Sequence, residues 1–161
     1  MDVGATTALV ARITLAAAFG LSAATKLAAP ADLARGLRDF GVPAAGVVAR
    51  ALPPVEAGLA VLLLAVPGSA WPPYLAIAVL GAFTAAVVAN LAGGNAAPCP
   101  CFGPPGAGAR PVSAATVARN GGLIALAVLG TASTEGASAG WAAAVSAVTV
   151  TATVFALRRF G

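Results

Sequence analysis

Pro72–Leu91 reads PPYLAIAVLGAFTAAVVANL, 20 residues without one charge. A helix rises about 1.5 Å per residue, so this stretch matches a hydrocarbon core about 30 Å thick. Its neighbours repeat the pattern. Apolar stretches run from Ala5 to Leu27, Val47 to Val66, Ser113 to Ala132 and Ser138 to Leu157. The expectation is an all-α polytopic membrane protein, one integral domain with five spans.

Composition agrees. Apolar residues make up 60% of the 161 positions, charged residues 9%, and there is no His. Chains this apolar do not fold as water-soluble domains. The length leaves no room for a separate soluble catalytic domain. The net charge of +4 is spread among apolar segments, so it is not a nucleic-acid footprint. It sets topology instead. The first stretch lacks a basic leader, and Arg12 interrupts it, so it reads as a retained span rather than a signal peptide.

Between spans one and two, Ala31 to Phe40 alternates Asp32, Arg35, Arg38 and Asp39 with Leu33, Leu37 and Phe40. That pattern suits a short helix lying along the membrane interface. Pro67-Gly68 and Trp71-Pro72-Pro73 form a tight turn before span three. Trp71 and Tyr74 suit the headgroup level. Lys26, Arg35, Arg38 and Arg50 flank the first connection, Arg110 and Arg119 the third, and Arg158 and Arg159 close the chain. With five spans all three basic regions share one face. The positive-inside rule places that face in the cytoplasm.

The loop from Ala92 to Val112 holds the only two cysteines, in Cys99-Pro100-Cys101-Phe102-Gly103. A bend between residues i and i+2 brings their Cα atoms near the range a disulfide tolerates. Pro100 restrains that bend. The resulting ring is small and strained, and strained disulfides are labile and oxidising. Thiol redox chemistry is therefore the leading reading. Two alternatives use the same residues: a soft-metal site for Cu(I) or Hg(II), and a membrane scaffold with inert thiols. Arg110 and the start of span four stand where they favour a thiolate.

Polar residues at membrane depth form a second candidate group. Glu56 lies in span two, Arg119 and Asn120 in span four, Lys26 near the end of span one and Asn90 near the end of span three. All lie towards the face that carries the cysteine loop. A charge at the bilayer centre is costly unless it is paired or snorkels. Glu56 with Arg119 is the expected pair. Arg12, Arg35, Arg38, Arg158 and Arg159 are expected to snorkel or be solvated. Pro53-Pro54 is expected to disturb span two.

These residues resemble the MauE family, methylamine-utilisation membrane proteins of the DoxX-like group. The resemblance runs from about Ile13 to about Leu129. It rests on Lys26-Leu27, Phe40-Gly41-Val42-Pro43, Leu52-Pro53-Pro54-Val55-Glu56, the Cys-Pro-Cys-Phe-Gly motif and Arg119-Asn120. It implies a DoxX-like four-helix bundle, to which the fifth span is an addition. It also implies disulfide metabolism, with electrons passed between the bilayer and a thioredoxin-like partner. Cys99 and Cys101 would then be the redox pair, supported by Lys26, Glu56, Asn90, Phe102, Gly103, Arg119 and Asn120. No cofactor is required. A quinone is the one small molecule this chemistry could use, and the cytoplasmic membrane is the implied location.

The span count has a direct test. A reporter fused after Gly161 and cysteine labelling from each side of the membrane should place the loop and the C-terminus on the same face. Opposite faces would leave four spans instead of five.

Overall fold

The computed structural model describes residues 3–66, 68–94 and 111–132. The cysteine motif and the fifth expected span lie outside these residues. All regular elements described are helices: α1 (Val3–Ala28), α2 (Pro30–Asp39), α3 (Ala45–Ala65), α4 (Trp71–Ala92) and α5 (Ala114–Ala132). Four of them, α1, α3, α4 and α5, are long and apolar enough to cross a membrane. The protein is an all-α, polytopic membrane protein.

Helix α1 packs against α3 and α5, and α4 packs against α5, with a lighter contact between α3 and α4. The four long helices form an up-and-down bundle. At one end α1 and α4 finish while α3 and α5 begin; this is the loop end, because residues 95–110 join α4 to α5 there. At the opposite end a short turn joins α3 to α4.

Each long helix buries a stripe spaced by threes and fours, the seam of knobs-into-holes packing. In α1 the stripe is Ala8, Arg12, Leu15, Phe19, Ser22 and Lys26. In α3 it is Ala45, Ala49, Pro53, Glu56, Ala60 and Leu63. In α4 it is Pro73, Ala76, Leu80 and Val87. In α5 it includes Val117, Asn120, Ile124 and Ala127. The many alanines let backbones approach closely, which is how membrane helices gain packing contacts. Gly20 shows the closeness: a Cβ there would stand 3.9 Å from the Ala60 Cβ. Leu15, Phe19, Leu59, Leu63, Ala76, Leu80, Ile124 and Ala127 make the central core.

Helix α2 is amphipathic, as its pattern requires. Leu33 and Leu37 pack with Ala45 and Ala49 at the start of α3, while Arg35 faces out and pairs with Asp32. The chain then reverses through Gly41, whose positive φ of 78° is one that glycine adopts at no steric cost.

Two expectations change. Helix α3 runs unbroken through Pro53 and Pro54. Proline removes its own N–H bond but does not stop a helix whose other faces are packed. Arg12 neither snorkels nor is solvated. It is 1% exposed, and its guanidinium donates to the carbonyls of Val66, at 2.9 Å, and Ser69. Those carbonyls end α3 and belong to the α3–α4 turn, where helical partners run out. The Arg12 side chain also lies close to Gly130 on α5, where an added Cβ would stand 3.6 Å from the Arg12 Cγ. One side chain thus ties α1 to the end of α3 and to the α3–α4 turn.

Arg12→Leu should lower stability by about 1–3 kcal/mol, the cost of losing two hydrogen bonds from a buried guanidinium to half-buried carbonyls. Arg12→Lys should recover only part of this, because an ammonium lacks the planar fork. Thermal unfolding in detergent reads both.

Candidate functional site

The buried polar cluster lies towards the loop end. Lys26 is 1% exposed and Glu56 is fully buried. Their side chains form a salt bridge, Nζ to Oε1, at 2.5 Å. Ser22 completes a triangle. Lys26 Nζ donates to Ser22 Oγ at 2.8 Å, and the Ser22 hydroxyl lies 3.2 Å from both Glu56 oxygens, Oε1 and Oε2. Ser22 and Lys26 are four residues apart on α1 and so share a face. Antiparallel packing of α1 on α3 brings Glu56 opposite them.

Helix α4 closes the cluster. The Lys26 ammonium sits over the Phe83 ring, 5.5 Å from its centroid, within cation–π range. Thr84 follows Phe83 and accepts from Asn120 Nδ2 at 3.3 Å. Thr84 in turn donates to the Leu80 carbonyl at 2.7 Å. Asn120 is fully buried on the α5 stripe. Polar groups of all four long helices are therefore partnered in the interior, Lys26 and Ser22 with Glu56 and Asn120 with Thr84. One turn nearer the loop end lies an apolar layer of Phe40, Val87, Val112 and Val117. Above it, Asn90 Nδ2 donates to the Phe40 carbonyl at 3.2 Å, pinning the end of α4 to the α2–α3 connection.

The expected Glu56–Arg119 pair is not formed; the salt bridge of Glu56 is made by Lys26. Arg119 is exposed and donates to Asn120 Oδ1 at 3.4 Å. The cause is helical phase. Asn120 stands three residues from the buried Val117, whereas Arg119 stands two residues away and turns about 200° off that direction. Lys26 and Glu56 are brought together, Asn120 is buried against Thr84 instead, Asn90 binds the Phe40 carbonyl, and Arg119 sits at the surface. Ser22, Thr84 and Phe83 were missed by the sequence reading. The α1 stripe was the available signal: Ser22 falls between Phe19 and Lys26 in register. Cys99, Cys101, Phe102 and Gly103 lie outside the described residues.

A helical membrane bundle whose interior holds a satisfied Lys–Ser–Glu triangle defines the class: a multi-pass membrane protein with an intramembrane polar site. The chain belongs to the MauE family, described as methylamine utilisation protein MauE, whose model matches residues 4–133. That match covers the four described spans and the cysteine loop, and ends before the fifth expected span. No curated protein matches the chain, and no solved structure does.

Breaking the triangle on one side should cost more than dissolving it. Lys26→Met or Glu56→Gln alone should destabilise by roughly 3–5 kcal/mol, because each leaves a buried group uncompensated. The double variant should be more stable than the sum of the two losses predicts. A double-mutant cycle on thermal unfolding measures the coupling, and strict additivity would contradict the pair.

Proposed function

We propose that this protein is a membrane thiol–disulfide oxidoreductase whose redox pair is Cys99 and Cys101. The observation that carries the reading is the placement of the only two cysteines one residue apart, in the segment joining α4 to α5. Membership of the MauE family supports it, as does the buried polar cluster towards the same end. Ionisable groups inside a membrane bundle are costly and usually functional.

The exchange is balanced as written. A thiolate of the reduced pair attacks a partner's disulfide, forming a mixed disulfide and releasing one partner thiolate. The second cysteine then attacks the mixed bond. The pair becomes a disulfide, and the partner leaves as a dithiol carrying the two electrons and two protons. The reverse sequence oxidises the partner. A thioredoxin-like protein is the partner chemistry this exchange fits. Resetting the pair needs a second two-electron partner, for which a membrane quinone is chemically suited. Lys26, Glu56, Asn90, Arg119 and Asn120 are assigned as support for the loop rather than as groups that exchange electrons. In this family the client process would be methylamine use, with exported disulfide-containing proteins as the final substrates.

Maleimide should label the cysteines in reduced membranes and fail to label them after oxidation. Cys101→Ser or Cys99→Ser, supplied with an oxidised thioredoxin-like protein, should trap a mixed disulfide that dithiothreitol releases. Cu(I) binding without any mixed disulfide would favour the soft-metal alternative. Thiols that never react would mean a scaffold.

A further inference from the structure

We infer that the groove between α2 and the start of α3 is a binding site for the phosphate headgroup of an anionic phospholipid. This groove, of about 430 Å³, is lined by Arg38, Val42, Ala44, Ala45, Gly46, Val47 and Arg50. It is open to the outside and lies at the interfacial helix, the level at which headgroups reside.

Two cations flank it. Arg38 and Arg50 are both exposed, and among the described residues neither guanidinium has an ion-pair partner, the two salt bridges being Lys26–Glu56 and Arg35–Asp32. Arg35 on the same helix differs in this respect. The neighbouring acid Asp39 does not line the groove. Small residues at positions 44–46 leave room between the two guanidiniums, and a phosphate suits paired guanidiniums because their planar forks match its oxygens.

The groove also continues into a path for an acyl chain. Val47 is 67% exposed and Val55 53% exposed, and Ala51 and Gly58 between and beyond them are exposed as well. Residues 47, 51, 55 and 58 are spaced as one face of a helix, which runs from the groove along the outer side of α3. A free phosphate uses only the guanidiniums, whereas a phospholipid uses both the guanidiniums and this face. The surrounding charge agrees. Arg35, Arg38, Arg50 and Arg119 stand at this end, which the positive-inside rule turns towards the anionic cytoplasmic leaflet, and basic pockets between helices on that side bind anionic headgroups. This site is independent of the cysteine chemistry.

The test uses the full chain in neutral detergent, titrated with phosphatidylglycerol, phosphatidylcholine or inorganic phosphate, with native mass spectrometry and thermal unfolding as readouts. Phosphatidylglycerol should be retained and should raise the unfolding temperature. Phosphatidylcholine should do neither. Arg38→Gln and Arg50→Gln should each weaken phosphatidylglycerol binding about fivefold, and the double variant about 25-fold, the scale expected for each basic residue near an anionic surface. Both residues are exposed, so unfolding without lipid should be unchanged. Arg35→Gln, outside the groove, should leave binding intact. The inference fails if phosphatidylcholine binds equally, if inorganic phosphate reproduces the shift, or if Arg35→Gln weakens binding as much as Arg38→Gln.

Discussion

The Lys26–Glu56 salt bridge is the constraint around which the bundle is arranged. An ionised side chain at the centre of a membrane helix costs roughly 2.5–3.5 kcal/mol on insertion scales. Glu56 stands mid-helix in α3, and Lys26, in the last turn of α1, is buried to meet it. Their pairing sets the register of α1 on α3, because only one alignment brings Lys26 and Ser22 opposite Glu56. The same alignment stacks Gly20 against Ala60 and carries Arg12 to the carbonyls that end α3. The apolar contacts alone would tolerate several registers, since alanine seams differ little from one turn to the next. A buried ion pair is a weak source of net stability. Its strength here is specificity: every shifted register leaves charges in hydrocarbon.

The two ends of the bundle solve different problems. At the turn end, Arg12 satisfies carbonyls left over where α3 stops, and the chain reverses through a short connection. That end is tied down. At the loop end, the triangle of Lys26, Ser22 and Glu56 sits below a layer of Phe40, Val87, Val112 and Val117. Asn90 fastens α4 to the α2–α3 connection above that layer. Helix α4 ends there and α5 begins there. The polar interior is therefore covered at this end by an apolar layer. That layer keeps the charges of the triangle dry.

Family membership and physical reading meet at the same residues. The MauE match extends through the four described spans, the cysteine loop and the polar positions of α1, α3 and α5. The groove at Arg38 and Arg50 stands apart. It uses cations of the interfacial helix and the first turns of α3, and it gives that end of the bundle a contact with the bilayer that does not pass through the cysteines.

Much was legible in the chain alone. Spans one to four, the interfacial helix and the all-α membrane class follow from hydropathy and period, because hydrocarbon leaves the backbone no partners outside a helix. The polar set of Lys26, Glu56, Asn90 and Asn120 was visible as charge and amide in apolar surroundings. The pairing within that set was not. Equal depth suggested Arg119 for Glu56, yet depth is only one coordinate; the angle around each helix decides which side chains meet. Arg119 lies off the α5 stripe and Lys26 lies on the α1 stripe, so Lys26 wins. Likewise, one-dimensional reading placed Arg12 in solvent or headgroups, because nothing nearby in sequence needs it. Its partners, Val66 and Ser69, are more than fifty residues away. Sequence determined the elements and their chemistry. Only the packing of four helices decided which polar groups share the interior, since that depends on relative rotation and register, which no single helix encodes.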